Sequence, residues 1–182
     1  MTIKPALLRV FISTTLTMLL TACGGGGGGS SVGNNFSISG TAATGAAISN
    51  GTVEARCASG TGTATTNYDG TFVINVNNGN LPCILKAVDP VSNLELHSVV
   101  ESGATTNISP ATELVTANLL GNTPALVFAN FTATSQQRIS SAAIATSIAT
   151  FQAATAALGS DADMTGIDVM KGALTAATEV AS

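Results

Sequence analysis

One change of periodicity divides this chain. From Phe36 to Ile108 short β-type runs alternate with turn clusters, whereas from Ser109 onward apolar residues recur at helical spacing. Strands followed by helices predict an α+β fold: a small antiparallel β-sandwich over residues 36–109, then an Ala-rich helical region over 110–182. The period of two is clearest in two places. In Thr52-Val53-Glu54-Ala55-Arg56-Cys57, Val53, Ala55 and Cys57 share one face and Thr52, Glu54 and Arg56 the other. In the run Thr71 to Val76, Phe72, Ile74 and Val76 line one side. Asn67-Tyr68-Asp69-Gly70 ahead of that run supplies turn residues, with glycine where positive φ is easiest, and predicts a hairpin. Further strands are expected at Phe36 to Gly40, Cys83 to Val88, Leu94 to Val100 and Thr105 to Ile108, with breaks at Asn50-Gly51 and Asp89-Pro90.

The helical half carries its own punctuation. Ser109-Pro110 predicts a helix start, because serine caps free backbone amides and proline tolerates the first helical position; Leu114, Val115 and Leu119 form its stripe and Gly121 its stop. Thr123-Pro124 repeats the start for a shorter helix through Phe128. Ser135 to Leu158 is expected as one helix, with Ile144, Ile148, Phe151, Thr155 and Leu158 in 3-4 spacing and Gly159 as its end. A last helix from about Thr165 would place Ile167, Met170, Leu174 and Ala177 together. It reaches Ser182 without a stop signal, as a shortened relative of longer proteins would. These helices are expected to pack against each other, with the sandwich as a further candidate surface.

The N-terminus has the layout of a secretory signal: Lys4 and Arg9 ahead of the apolar run Val10 to Leu20. That run rises only about 16 Å as a helix, against about 30 Å of bilayer hydrocarbon, so cleavage is expected and not permanent spanning. Leu20-Thr21-Ala22-Cys23 closes it and resembles the lipobox of bacterial lipoproteins, in which the residue after the cut carries lipid. Residue by residue, Leu20 matches the apolar position, Ala22 the small one and Cys23 the lipidated one. The resemblance implies a signal peptide over 1–22, removed by signal peptidase II, and a diacylglyceryl thioether on Cys23. With an added N-acyl chain, each buried CH₂ contributes about 0.8 kcal/mol to membrane affinity, and anchoring becomes permanent. Residues 23–35, dominated by Gly24 to Gly29, are expected as a flexible tether. Gly24 stands where enteric lipoproteins retained at the inner membrane carry Asp, so the outer membrane is favoured by resemblance.

Loss of the signal leaves Arg56, Lys86, Arg138 and Lys171 against ten carboxylates, a net charge of −6. That disfavours nucleic acid as a partner. One tyrosine and no tryptophan also leave little for stacking sugars or bases. With Cys23 assigned to lipid, Cys57 and Cys83 remain as an even pair. In an oxidising compartment they predict a disulfide, worth about 3.5 kcal/mol in the chain-entropy model.

The stretch Gly40 to Val88 resembles the carboxypeptidase regulatory-like domain, a transthyretin-like β-sandwich of exported bacterial proteins. The matching residues are Gly45-Ala46-Ala47-Ile48, Thr52 to Cys57, Thr65-Thr66-Asn67-Tyr68-Asp69-Gly70-Thr71-Phe72-Val73-Ile74 and Leu85-Lys86-Ala87. The resemblance covers under half the chain, and the cysteine pair departs from the family pattern. In that family the unit accompanies a zinc peptidase domain and is itself non-catalytic; this chain has no room for the peptidase.

No nucleophile, zinc or phosphate-loop motif occurs. His97, the only histidine, alternates with Leu94 and Leu96 and is expected exposed on a strand's outward face. Asp161-Ala162-Asp163-Met164-Thr165-Gly166 mimics half an EF-hand loop, but position twelve is Gly172, so an acidic loop capping the following helix is expected and no metal site. The expectation is a non-enzymatic, lipid-anchored envelope protein without cofactor, partnered by the membrane and by an envelope protein. The alternative is a glycan- or peptide-binding lipoprotein using loops near Asn67 to Gly70 and Asn77 to Asn80.

Overall fold

The computed structural model describes residues 34–103, 105–159 and 163–176. Strands β1 (Asn34–Thr41), β2 (Thr52–Ser59), β3 (Thr61–Thr65), β4 (Thr71–Val88) and β5 (Glu95–Val100) precede helices α1 (Pro110–Leu120), α2 (Pro124–Ala129), α3 (Ala133–Arg138) and α4 (Ser141–Ala156). The four strand pairings are all antiparallel, so the chain is α+β with the strands first.

β4 organises the sheet. Its first half pairs with β1, as in Ile38 opposite Ile74, while its second half lies between β2 and β5, as in Ala87 flanked by Val53 and Leu96. The strand changes partners near Asn78, which has a φ of 51°, and the sheet curls into a half-barrel, sandwich-like around one core. Alternation decides who enters that core. Ile38, Phe72, Ile74 and Val76 from one wall meet Val53, Ala55, Leu85, Ala87, Leu96 and Val100 from the other. Burial of an aliphatic or aromatic side chain of this size contributes about 1.5–3 kcal/mol.

Two strand readings are corrected. The expected strands at Thr71 to Val76 and Cys83 to Val88 are one continuous β4, because each half has its own pairing partners across the intervening Asn-rich stretch. The Thr105 to Ile108 strand is reduced to isolated parallel bridges beside β1. Gly40 admits that approach: a Cβ there would lie 1.9 Å from the Thr106 carbonyl oxygen. The Asn67 to Gly70 turn forms, with Gly70 N–H donating to the Asn67 carbonyl and Asn67 N–H to the Thr71 carbonyl, but the hairpin expected there does not: the turn joins β3 to β4, and β3 takes its ladder from β2.

The alternate residues of β4 and β5 point the other way. Ile84 and Val99 join Val115, Leu119, Leu120, Val127, Phe128, Ile144 and Met170 in a second cluster, so the helices pack on the outer face of this part of the sheet. β5 is consequently buried on both faces. The start at Ser109 is a reciprocal cap: Thr112 N–H donates to Ser109 Oγ, and Ser109 N–H to Thr112 Oγ1. Gly121, left-handed at φ 61°, ends α1. Val115 and Leu119 of the expected stripe are buried, but Leu114 is exposed, and Thr112, Thr116 and Leu120 complete the buried face.

The expected helix from Ser135 to Leu158 is two. Ser140 caps α4 by accepting from Ala143 N–H, and that capping geometry interrupts the chain after Arg138. The last expected helix is absent among the described residues. Asp168 Oδ1 takes the N–H groups of Met170 and Lys171, and Asn107 takes the carbonyls of Met170 and Gly172, so these groups are diverted from helical bonding and one turn remains, closed by Gly172 N–H on the Asp168 carbonyl. Met170 is buried, whereas Ile167 is half exposed.

Candidate functional site

Leu20, Ala22 and Cys23, the expected lipidation site, lie outside the described residues, as do Asp161 and Ala162 of the acidic loop. Asp163, which is described, is engaged in its own turn: Oδ1 accepts Thr165 N–H at 2.8 Å, and bonds to the Thr165 hydroxyl and N–H hold its carboxyl below the usual range. No helix follows for it to cap among the described residues. Among the described residues no group of three metal-ligating side chains occurs, and no helix is long and apolar enough to cross a membrane.

Cys57 and Cys83 are directly opposite on β2 and β4 and form a disulfide. Both cysteines belong to the core enclosed by the curled sheet, with Cys83 fully buried. The bridge thus reinforces the joint between the strand that holds both walls together and its neighbour.

His97 is a correction. It is 1% exposed, not on a solvent face, because the outward side of β5 is covered by α1 and α2. Its Nδ1 lies 2.9 Å from Glu113 Oε2 on α1, which also accepts the His97 backbone N–H. Thr112 Oγ1 donates to the His97 carbonyl at 3.0 Å. Strand β5 and helix α1 are therefore tied at one residue through backbone and side chain together.

Around this tie the structure gathers residues that the sequence did not place together. The Phe128 ring on α2 sits 5.8 Å from the His97 ring, with the Arg56 guanidinium 4.5 Å and Lys86 Nζ 5.1 Å from its centroid. Arg56 Nη1 donates to the carbonyls of Phe128 and Ala129, capping the negative end of α2. Lys86 Nζ is 3.2 Å from Glu54 and 3.8 Å from Glu95. Cross-strand register explains the set: Glu54 opposes Lys86, and Lys86 opposes His97, all on the outer face. Sequence alternation placed Glu54 and Arg56 on that face, but no signal pointed to Glu113 or Phe128 as their neighbours.

Chemically this is a clamp. His97 Nε2 is buried, and no hydroxyl or thiol among the described residues hydrogen-bonds to it. A general base must reach the proton it abstracts, and this nitrogen faces packed side chains. The interaction holds the helical layer on the sheet.

The loops proposed for ligand binding are separated. Register places Asn67 to Gly70 at the end shared by Thr41, Thr52 and Val88, whereas Asn77 to Asn80 lie beside Asn34 and Ser59 at the opposite end. Asn67 and Asp69 also spend their side chains on Thr71. Tyr68, 81% exposed, projects from that turn. Near the helical layer a cavity of about 130 Å³ is lined mainly by Ala111, Met164, Ile167, Val169 and Leu174. Small-molecule sites run to about 300–1,000 Å³, so it is side-chain sized. Comparison with known protein families, curated protein sequences and solved structures finds no match to the chain.

Proposed function

We propose that this chain is a non-enzymatic, lipid-anchored protein of the bacterial cell envelope, most simply the outer membrane, whose transthyretin-like β-sandwich serves as a structural or interaction module. The Leu20-Thr21-Ala22-Cys23 box behind an apolar run carries the reading. The Cys57–Cys83 disulfide supports it, since such bridges persist in oxidising compartments. Asn34, where β1 begins, comes shortly after the glycine run, so the tether would join the sandwich directly. Replacing Cys23 with Ser tests the reading: the variant is expected to leave the membrane fraction and lose acyl label, and unchanged membrane retention would contradict it.

A second reading, peptide binding, is favoured by one observation. Tyr68 and Val91 are both strongly exposed on loops at the sheet end remote from Asn34, the end a tethered domain would present outward. Glycans are less favoured, for want of further aromatic side chains. Peptide-array binding that Tyr68→Ala abolishes would support it; arrays without a saturable ligand would remove it.

A further inference from the structure

Strands β1, β3 and β5 border the sheet, and the chain itself covers β5 and the Ser39–Thr41 half of β1. On β5, Glu113 accepts from the His97 N–H, while Thr112 and Thr106 donate to the carbonyls of His97 and Val99. Along β1, Thr106 N–H donates to the Ser39 carbonyl and Ile108 N–H to that of Thr41, and Asn107 Oδ1 accepts from Thr41 N–H. The third edge is β3, which pairs with β2 alone. Edge strands are ordinarily blunted by charge, proline or cover, because unpaired N–H and C=O groups template further pairing. Thr61-Gly62-Thr63-Ala64-Thr65 carries neither charge nor proline, and β4 lies against it only on its inner, Gly62 side, where a Cβ would meet Ile74 Cγ2 and the Asn75 carbonyl oxygen.

The free groups can be assigned. Bonds from Cys57 N–H to the Gly60 carbonyl and from Thr66 N–H to the Gly51 carbonyl flank the β2–β3 ladder. Antiparallel ladders alternate, so Gly62 and Ala64 exchange bonds with Ala55 and Val53, and Thr61, Thr63 and Thr65 turn theirs outward. Those three threonines are exposed.

We propose that this edge pairs with the same strand of a second copy of this chain, antiparallel about a two-fold axis at Thr63. The segment is close to palindromic. In that register Thr61 faces Thr65, Thr63 faces itself and Gly62 faces Ala64, so the outward residues of both strands coincide and exchange about six backbone hydrogen bonds. Threonine opposite threonine is a favourable cross-strand pair. The strand brings no charge to the contact, which suits self-association of a chain with excess carboxylates. A five-residue edge buries too little for a tight dimer in dilute solution, and confinement to a membrane surface would raise the effective concentration.

The test introduces Thr63→Cys into the full chain in its native membrane, with Thr146→Cys, exposed on α4, as control. A hydrogen-bonded antiparallel pair sets its Cα atoms about 5.5 Å apart, within disulfide range. Mild oxidation is expected to yield covalent dimer at least tenfold faster from Thr63→Cys. In purified protein, Thr63→Lys, which sets two ammonium groups face to face, is expected to abolish the dimer seen by sedimentation at high concentration while leaving the melting temperature unchanged. Equal cross-linking at the two positions, adducts only with another protein, or a dimer indifferent to Thr63→Lys would overturn the proposal. Repeating the cross-link in a Cys23→Ser background separates the two claims. If the anchor reading fails, the yield is the same in both backgrounds; if the edge reading fails, neither background yields dimer.

Discussion

Replacing both Cys57 and Cys83 with alanine removes a constraint whose size follows from the chain. The bridged residues are 26 apart in sequence. In the chain-entropy model, opening a loop of that length returns about 12 cal/mol/K to the unfolded ensemble, or about 3.5 kcal/mol at 25 °C. Loss of the buried Cys83 sulfur adds a packing cost, and the whole effect is about 3–5 kcal/mol. At about 2–4 °C per kcal/mol for a unit of this size, the melting temperature falls by roughly 6–20 °C. The unfolded chain also becomes more extended, so the denaturant slope m rises. The assay is urea unfolding of mature wild type and double variant without reductant, alongside a thiol count on unfolded wild type, expected to be zero. A loss below about 1 kcal/mol with unchanged m would refute the reasoning, because it would show that no bridge constrains the unfolded chain.

Three other substitutions give distinct outcomes. Glu113→Ala strands the His97 backbone N–H and Nδ1 in a buried site, and chemical unfolding is expected to show a loss of about 2–4 kcal/mol, whereas His97→Leu, which removes the side-chain need and keeps the carboxylate for the backbone, costs less than half as much. Equal losses would show that the ring's packing, and not the pairing, holds β5 to α1. Asp69 is held below its ordinary value of 3.8, first by the Thr71 hydroxyl and then by the Thr71 N–H. Its contribution is therefore complete above the unfolded value and lost as pH falls through the depressed folded one; Asp69→Asn is expected to flatten this acid limb of stability against pH.

Local chemistry was legible where one residue decides the conformation. Ser109-Pro110 and Gly121 marked both ends of α1, because a cap and a left-handed stop act within a few residues. The Asn67 to Gly70 turn was readable for the same reason, whereas the Cys57–Cys83 pairing followed from the even cysteine count left once Cys23 is assigned to lipid. β3 was invisible: its core-facing residues are Gly62 and Ala64, and a Cβ on Gly62 would meet Ile74 Cγ2 at 2.5 Å, so the site allows no large apolar residue to carry a signal. His97 was misread because β5 is covered on both faces, which erases alternation, and its partner Glu113 comes from a helix 16 residues away. The last expected helix failed where Asp168 and Asn107 compete for its backbone groups.

The central claim is that Cys23 becomes the lipidated first residue of the mature protein. Intact-mass and N-terminal peptide analysis of the membrane-extracted chain reads this directly. The expected result is loss of residues 1–22, a Cys23 bearing diacylglyceryl and N-acyl groups, and no unmodified Cys23 peptide. A mature chain that begins elsewhere, or one in which Cys23 carries a free thiol, would contradict it.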